Sequence, residues 1–173
     1  YHEFLGKTIG IVGFGSIGRI VAKKANAFGL KCLAYDPVLS GNEVVLEGFK
    51  VPLVSLKALL SQSDAVTLHL PFLPETKGLF NLDILSQMKA GACLINTARG
   101  GIVDEFALAE CLRSGHLGGA ALDVFSAEPA KDLTHLVGIE NLILTPHIAG
   151  VTHESNERVS QMIADEVNLF LGA

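Results

Sequence analysis

Between an apolar, β-rich run at Thr8–Val12 and a helical pattern at Ile17–Phe28 stands the segment Gly13-Phe14-Gly15-Ser16-Ile17-Gly18. Strand, spaced glycines and helix in that order form the first half of a βαβ unit and commit the chain to a parallel sheet. The first glycine permits a tight turn, the second lets backbone approach a pyrophosphate, and the third lets helix pack against strand. The helix then points its free N–H groups and the positive end of its dipole at the phosphates. Asp36 ends the next apolar run, Cys32–Tyr35, 18 positions beyond Gly18. A carboxylate there can accept hydrogen bonds from both hydroxyls of an adenosine ribose. No Arg or Lys occurs from Asp36 to Glu47, so a 2′-phosphate would meet an uncompensated carboxylate, and NAD is favoured over NADP. Reading Asp36 only as a turn residue before Pro37 leaves the shared register of motif, strand, helix and acid unexplained.

Further strand-like runs lie near Lys50–Val51 and at Ala65–His69, Ala92–Asn96, Gly119–Leu122 and Leu142–Leu144. Helical patterns alternate with them at Ser55–Gln62, Leu82–Met88 and Asp104–Arg113, with Ser55 and Asp104 placed as N-caps. This alternation predicts a Rossmann-type doubly wound parallel sheet in three α/β/α layers, and the unbroken apolar strands predict cover on both faces. Residues 1–150 read as a nucleotide-binding domain. Residues 151–173 carry a long helix, Thr152–Leu171, that crosses away from it.

With 49% hydrophobic and 18% charged residues among 173, the chain can bury a continuous core and is not a disordered tail. A net charge of −5 with no dense basic stretch gives nucleic acid or an anionic membrane no electrostatic footprint. The apolar runs are strand length, short of the roughly 20 residues that span a bilayer. Nothing resembles a signal peptide, so a cytoplasmic protein is expected, and the opening at Tyr1 rather than Met suggests a piece of a longer one. Cys32, Cys93 and Cys111 are far apart, without ligand spacing. They read as buried thiols, and no metal site is expected.

Catalytic groups in an open parallel sheet project from loops at the carboxyl ends of strands. Arg99 follows one such strand in Asn96-Thr97-Ala98-Arg99-Gly100-Gly101, where a guanidinium can hold a carboxylate at two points, the plainer reading being a surface salt bridge. Glu128 precedes Pro129 in the loop after Gly119–Asp123 and is unremarkable alone. His147 lies in Thr145-Pro146-His147-Ile148-Ala149-Gly150, where an imidazole can exchange a proton near neutral pH. A Glu beside that His would stabilise imidazolium and orient the ring, and the Arg would anchor an anionic substrate. Together they describe hydride transfer to or from a 2-hydroxy or 2-keto acid. The other histidines have plainer readings: His69 is structural or a substrate contact near the cleft, and His2, His116, His135 and His153 are solvent-facing or capping. Asp104-Glu105 reads as carboxylates favoured by the helix dipole, and Glu154, Glu157 and Arg158 as a solvated face.

Five ordered stretches, Gly6–Gly18, Leu68–Pro71, Asn96–Asp104, Ala121–Phe125 with Glu128-Pro129, and Thr145–Gly150, resemble the D-isomer-specific 2-hydroxyacid dehydrogenases over nearly the whole chain. The passage before the last helix is similar to that of phosphoglycerate dehydrogenases. The resemblance implies that Arg99 binds the substrate carboxylate and carbonyl oxygen, His147 is the acid/base, and Glu128 hydrogen-bonds His147. It implies that Asp123 holds the nicotinamide carboxamide and that Thr97 and Gly150 line the nicotinamide pocket. Ser16, Ile17 and their neighbours would cradle the pyrophosphate, with Arg19 contributing charge. It also implies a homodimer and a second, substrate-binding domain that this chain does not contain. The chain alone is therefore expected to bind NAD with little turnover. Ala130–His135 departs from the family by lacking a proline-rich character. Two other classes compete, an NAD-sensing binding module of the same fold and an adenosyl-binding, methyltransferase-like domain. Retention of Arg99, Glu128 and His147 argues against the first, and the six-position glycine motif with that later set against the second.

Overall fold

The structure, a computed structural model, describes residues 3–172. Six strands, β1 (Thr8–Val12), β2 (Lys31–Tyr35), β5 (Ala65–Leu68), β6 (Cys93–Asn96), β7 (Gly119–Leu122) and β8 (Leu142–Leu144), form one sheet in the order β2-β1-β5-β6-β7-β8. Every pairing in it is parallel. Helices α1 (Ser16–Ala27), α2 (Leu56–Gln62), α3 (Leu82–Leu85) and α4 (Glu105–Arg113) fill the crossovers. The doubly wound sheet expected from the alternation of elements is therefore present. β1 has β2 on one side and β5 on the other, which makes the crevice beyond the carboxyl ends of β1 and β5 the topological switch point.

The register matters more for function than the order does. Val12 pairs with Tyr35 and with Leu68, Leu68 with Asn96, Asn96 with Leu122, and Leu122 with Leu144. The residues that leave these strands, Gly13, Asp36, His69, Thr97, Asp123 and Thr145, consequently line one edge of the sheet.

Local signals account for the helix boundaries. Ser55 caps α2 by accepting from the Ala58 N–H, and Asp104 caps α4 by accepting from Phe106 and Ala107. α3 stops at Leu85, short of the expected Met88, after an Asn81 cap. The last helix, α5 (His153–Leu171), is capped by Thr152 and has no buried residue.

Three expectations need correction. The short run near Lys50–Val51 is not a strand of the parallel sheet. It belongs to β4 (Phe49–Pro52), which pairs antiparallel with β3 (Glu43–Leu46) across Glu47-Gly48. These strands are too short, and too mixed with Glu43 and Lys50, to show the apolar run of a central strand. Secondly, the sheet is not covered equally on both faces. Leu59, Leu60, Leu85, Leu108 and Leu112 of α2–α4 pack on one face with Val66, Leu68, Leu94 and Leu122. On the other, α1 and the β3–β4 hairpin bury Ile11, Cys32, Ala34, Leu46 and Val51, while Ile143 of β8 is 65% exposed. Thirdly, for the same reason Cys93 is exposed, whereas Cys32 and Cys111 are buried as expected.

Candidate functional site

The glycine turn is shaped as its spacing requires. Gly13 adopts φ +91°, and a Cβ there would lie 2.6 Å from the His69 carbonyl oxygen. A Cβ on Gly18 would come within 2.3 Å of the Gly13 carbonyl oxygen, so only glycine allows α1 to start this close to β1. Gly15 faces open space. It is also the N-cap of α1 and supplies no side-chain cap, and α1 has no acidic residue in its first turn. The first N–H groups of α1 therefore remain available to a phosphate between Gly15, Ser16 and Ile17, all exposed. Arg19 is held beside the turn by its Nε bond to the Phe14 carbonyl at 3.1 Å, its guanidinium 5.5 Å from the Phe14 ring centroid.

Asp36 points at the same turn. Its Oδ2 accepts from the Phe14 N–H at 2.8 Å and its Oδ1 from the Val38 N–H at 2.9 Å. A carboxylate offers about four acceptor positions, which leaves room for ribose hydroxyls. An open cradle at Gly15, free helix N–H groups and an oriented acid together fit a dinucleotide.

At the other end of the edge, His147 and Glu128 are brought together: His147 Nδ1 and Glu128 Oε2 lie 2.6 Å apart. Glu128 Oε1 accepts from the Phe125 N–H at 3.0 Å. The bonds from the His147 ring and from Phe125 hold the Glu128 carboxyl below its ordinary range, so it is ionised at neutral pH and can only accept. Nδ1 of His147 must then donate, which leaves Nε2 as the free position of the ring. His147 has φ +56°, the one non-glycine residue with positive φ among the described residues. Such conformations persist where surroundings impose them. A cavity of about 480 Å³ adjoins the pair, lined by Phe125, Glu128, Pro129, Leu133, Thr145 and His147.

The surroundings that impose it come from Asp123, 3% exposed. Its carboxylate accepts from the Thr145 hydroxyl, from the Ile148 N–H at 2.9 Å and from the Ala149 N–H at 2.8 Å. Burial alone would push this carboxyl up, but the three bonds outweigh it and hold it below its ordinary value. Asp123 thus latches the loop that carries His147.

Arg99 leaves β6 on a loop built by Asn96, a residue the sequence reading passed over. The Asn96 side chain, 1% exposed, accepts from the Ala98 N–H and donates to the Arg99 carbonyl, each at 3.0 Å. An Asn closing a strand before a Gly-flanked turn is the signal that could have marked it. Among the described residues the Arg99 guanidinium is bound only to the Ala98 carbonyl, at 2.6 Å, and the residue is exposed. Gly100 packs so tightly on Phe125 that the Arg99 and Glu128 loops touch there. Thr97 and Gly150 are exposed at the same edge.

Of the other histidines, His135 and His116 depart from their expected readings. His69 is largely withdrawn from water at the end of β5, 3.1 Å from the Thr67 hydroxyl, and burial pushes its pKa down. His135 is not solvent-facing: its ring bonds Glu105 at 3.1 Å and stacks on Phe106. Nε2 of His116 is buried, with no hydrogen-bond partner among the described residues, rather than facing water. His153 begins α5 and is exposed, and His2 lies outside the described residues.

Comparison with known proteins places this geometry. Residues 1–149 match the family model for the D-isomer specific 2-hydroxyacid dehydrogenase, NAD binding domain. The chain is 49% identical over 171 residues to an (S)-sulfolactate dehydrogenase of Chromohalobacter salexigens, covering 99% of this chain and 55% of the relative. It is 40% identical to an NAD-dependent formate dehydrogenase from Staphylococcus aureus solved in complex with NAD, with a TM-score of 0.87 over 98% of this chain and 50% of that one. A D-lactate dehydrogenase from Aquifex aeolicus, complexed with NAD and lactic acid, is 36% identical with a TM-score of 0.86, covering 99% of this chain and 55% of that one. The chain thus spans about half the length of the relatives it matches. Its sheet, its glycine turn and the match along its length agree, and the chain belongs to the NAD-binding domain of the D-isomer specific 2-hydroxyacid dehydrogenase family.

Proposed function

We propose that this chain is the NAD-binding and proton-transferring part of an oxidoreductase that interconverts a D-2-hydroxy acid and its 2-keto acid. The observation that carries the reading is the 2.6 Å contact between His147 Nδ1 and an ionised Glu128, on the sheet edge that also carries the glycine turn. Gly13, Gly15, Ser16, Ile17 and Gly18 receive the pyrophosphate and Asp36 the adenosine ribose. NAD, when bound, supplies the nicotinamide that accepts or returns a hydride. Thr97 and Gly150 flank that ring. Asp123 has three of about four acceptor positions filled by the His147 loop, and the fourth suits a carboxamide N–H.

The free Nε2 of His147 takes the proton of the substrate hydroxyl during oxidation and gives it back during reduction. Glu128 balances the charge that the ring then carries. Arg99, with most of its donors uncommitted, pairs with the substrate carboxylate and steadies charge on the C2 oxygen. The substrate is a small hydroxy or keto acid rather than a nucleic acid. Free cysteines Cys32, Cys93 and Cys111 suit a reducing compartment such as the cytoplasm. A homodimer agrees with the exposed apolar residues Val159, Met162 and Ile163 on α5.

In a complete enzyme containing this domain, His147→Ala is expected to lower kcat by about 10²–10⁴-fold with NAD binding intact. Steady-state kinetics on the D-hydroxy acid, paired with NAD titration, check this. Full turnover in the variant would overturn the proposed role.

A further inference from the structure

The segment that carries Glu128 is gripped from outside the site. Asp104 already caps α4, accepting from Phe106 at 3.0 Å and Ala107 at 3.1 Å, so the neighbouring Glu105 is not needed at the helix end. Its carboxylate instead turns to the loop after β7. Oε1 accepts from both the N–H and the hydroxyl of Ser126, each at 2.7 Å, and Oε2 lies 3.1 Å from Nε2 of His135. The Glu105 and His135 side chains are only 11% and 12% exposed. The His135 ring also stacks on Phe106, with centroids 4.3 Å apart, and its carbonyl accepts from Arg113 Nη2 at 2.7 Å.

Ser126 stands two residues before Glu128 and His135 seven after it. Both ends of the segment are therefore fastened to α4, and the carboxylate that orients His147 projects from between them. Among the described residues the Glu128 carboxylate bonds the N–H of Phe125, the residue before Ser126, and His147 itself.

We propose that Glu105 is a positioning residue for the His147–Glu128 pair, setting where Glu128 stands by holding Ser126 and His135 in one carboxylate. The inference rests on the reading of His147 given above. A screened, multiply bonded carboxylate suits this task, because removing it leaves the Ser126 and His135 donors unsatisfied together. Any shift of Ser126 reaches Glu128 through two peptide units. Glu105 acts on proton transfer only through the tautomer and orientation of His147.

The test is the ¹⁵N spectrum of the neutral His147 imidazole in this chain, which reports which ring nitrogen carries the proton. The parent is expected to carry it on Nδ1, and Glu128→Gln defines the released state. Glu105→Ala is expected to move the Ser126 amide and to lower the Nδ1–H population by about twofold or more, as for residues coupled through one network. Glu105→Gln, which keeps an acceptor for Ser126, is expected to restore most of the parental signal. His135→Leu frees only the far end and is expected to act in the same direction with smaller size. It supplies the answer should Glu105→Ala fail to fold.

A parental His147 signal in Glu105→Ala, or in His135→Leu where the alanine variant does not fold, overturns the proposal, even if the melting temperature falls. A parent with no Nδ1–H preference overturns the His147–Glu128 reading itself, and the inference with it.

Discussion

Gly100→Ala is expected to destabilise the chain by about 3 kcal/mol or more, at the upper end of what overpacking costs. A Cβ on Gly100 would lie 1.7 Å from the carbonyl oxygen and 2.3 Å from the carbonyl carbon of Phe125. The obstacle is backbone on both sides, so no rotamer change relieves it, and one loop has to move. If the Phe125 loop moves, the Phe125 N–H leaves Glu128 Oε1. If the Gly100 loop moves, the Asn96 bonds that shape Ala98 and Arg99 are broken. In either case Arg99 and Glu128 lose their fixed relation. Urea unfolding measures the stability loss, and the Phe125 amide resonance shows which loop yields. A variant as stable as the parent would mean that this contact is not closed in solution.

The second large effect is at Asp123. Asp123→Asn is expected to cost about 2 kcal/mol at neutral pH, because the amide can still accept from two donors but turns its NH₂ toward the third. Asp123→Ala leaves all three donors without a partner and should cost more. The pH dependence has a definite sign. The folded Asp123 carboxyl titrates below its ordinary value of 3.8, so its contribution is fully present above that value and is lost as pH falls through the folded pKa. The gap in unfolding free energy between parent and Asp123→Asn should thus be constant from pH 7 to about pH 5 and narrow below about pH 4. Equal stability of the two at pH 7 would contradict the latch, and so would a gap that stays constant into acid. Because the latch holds Thr145, Ile148 and Ala149 around His147, the His147 backbone should lose its positive φ in the same variants.

What the sequence disclosed follows from what glycine and alternation encode. The turn at Gly13–Gly18 was legible because Gly13 and Gly18 both exclude a side chain, Gly13 with φ above zero as well, and no other residue satisfies that at low cost. The six parallel strands were legible as short apolar runs alternating with helical patterns, β8 included although Ile143 is 65% exposed. Glu43–Leu46 was not, since a four-residue edge hairpin leaves half its positions in water.

Contact between His147 and Glu128 rested on the family resemblance and on both residues following neighbouring strands. Their 2.6 Å approach is a tertiary fact. Glu105 was legible only in part, for a related reason. Its place in the first turn of α4 suits a dipole carboxylate, and only the fold shows that Asp104 serves the helix while Glu105 serves the loop opposite. His135 was misread because its partners, Glu105 and Phe106, lie on an element whose proximity no local pattern encodes, whereas the Asn96 side chain bonds within its own loop, where a local signal was passed over.

The central claim is that the edge from Gly13 to Asp36 is a preformed NAD site. Calorimetric titration of this chain with NAD⁺, and separately with NADP⁺, at one fixed salt concentration and pH tests it most directly. NAD⁺ is expected to bind more tightly than NADP⁺ by about tenfold or more, since a 2′-phosphate faces the Asp36 carboxylate with no cation from Pro37 to Glu47 to offset it. Equal affinity for the two, tighter binding of NADP⁺, or no binding of either would contradict it.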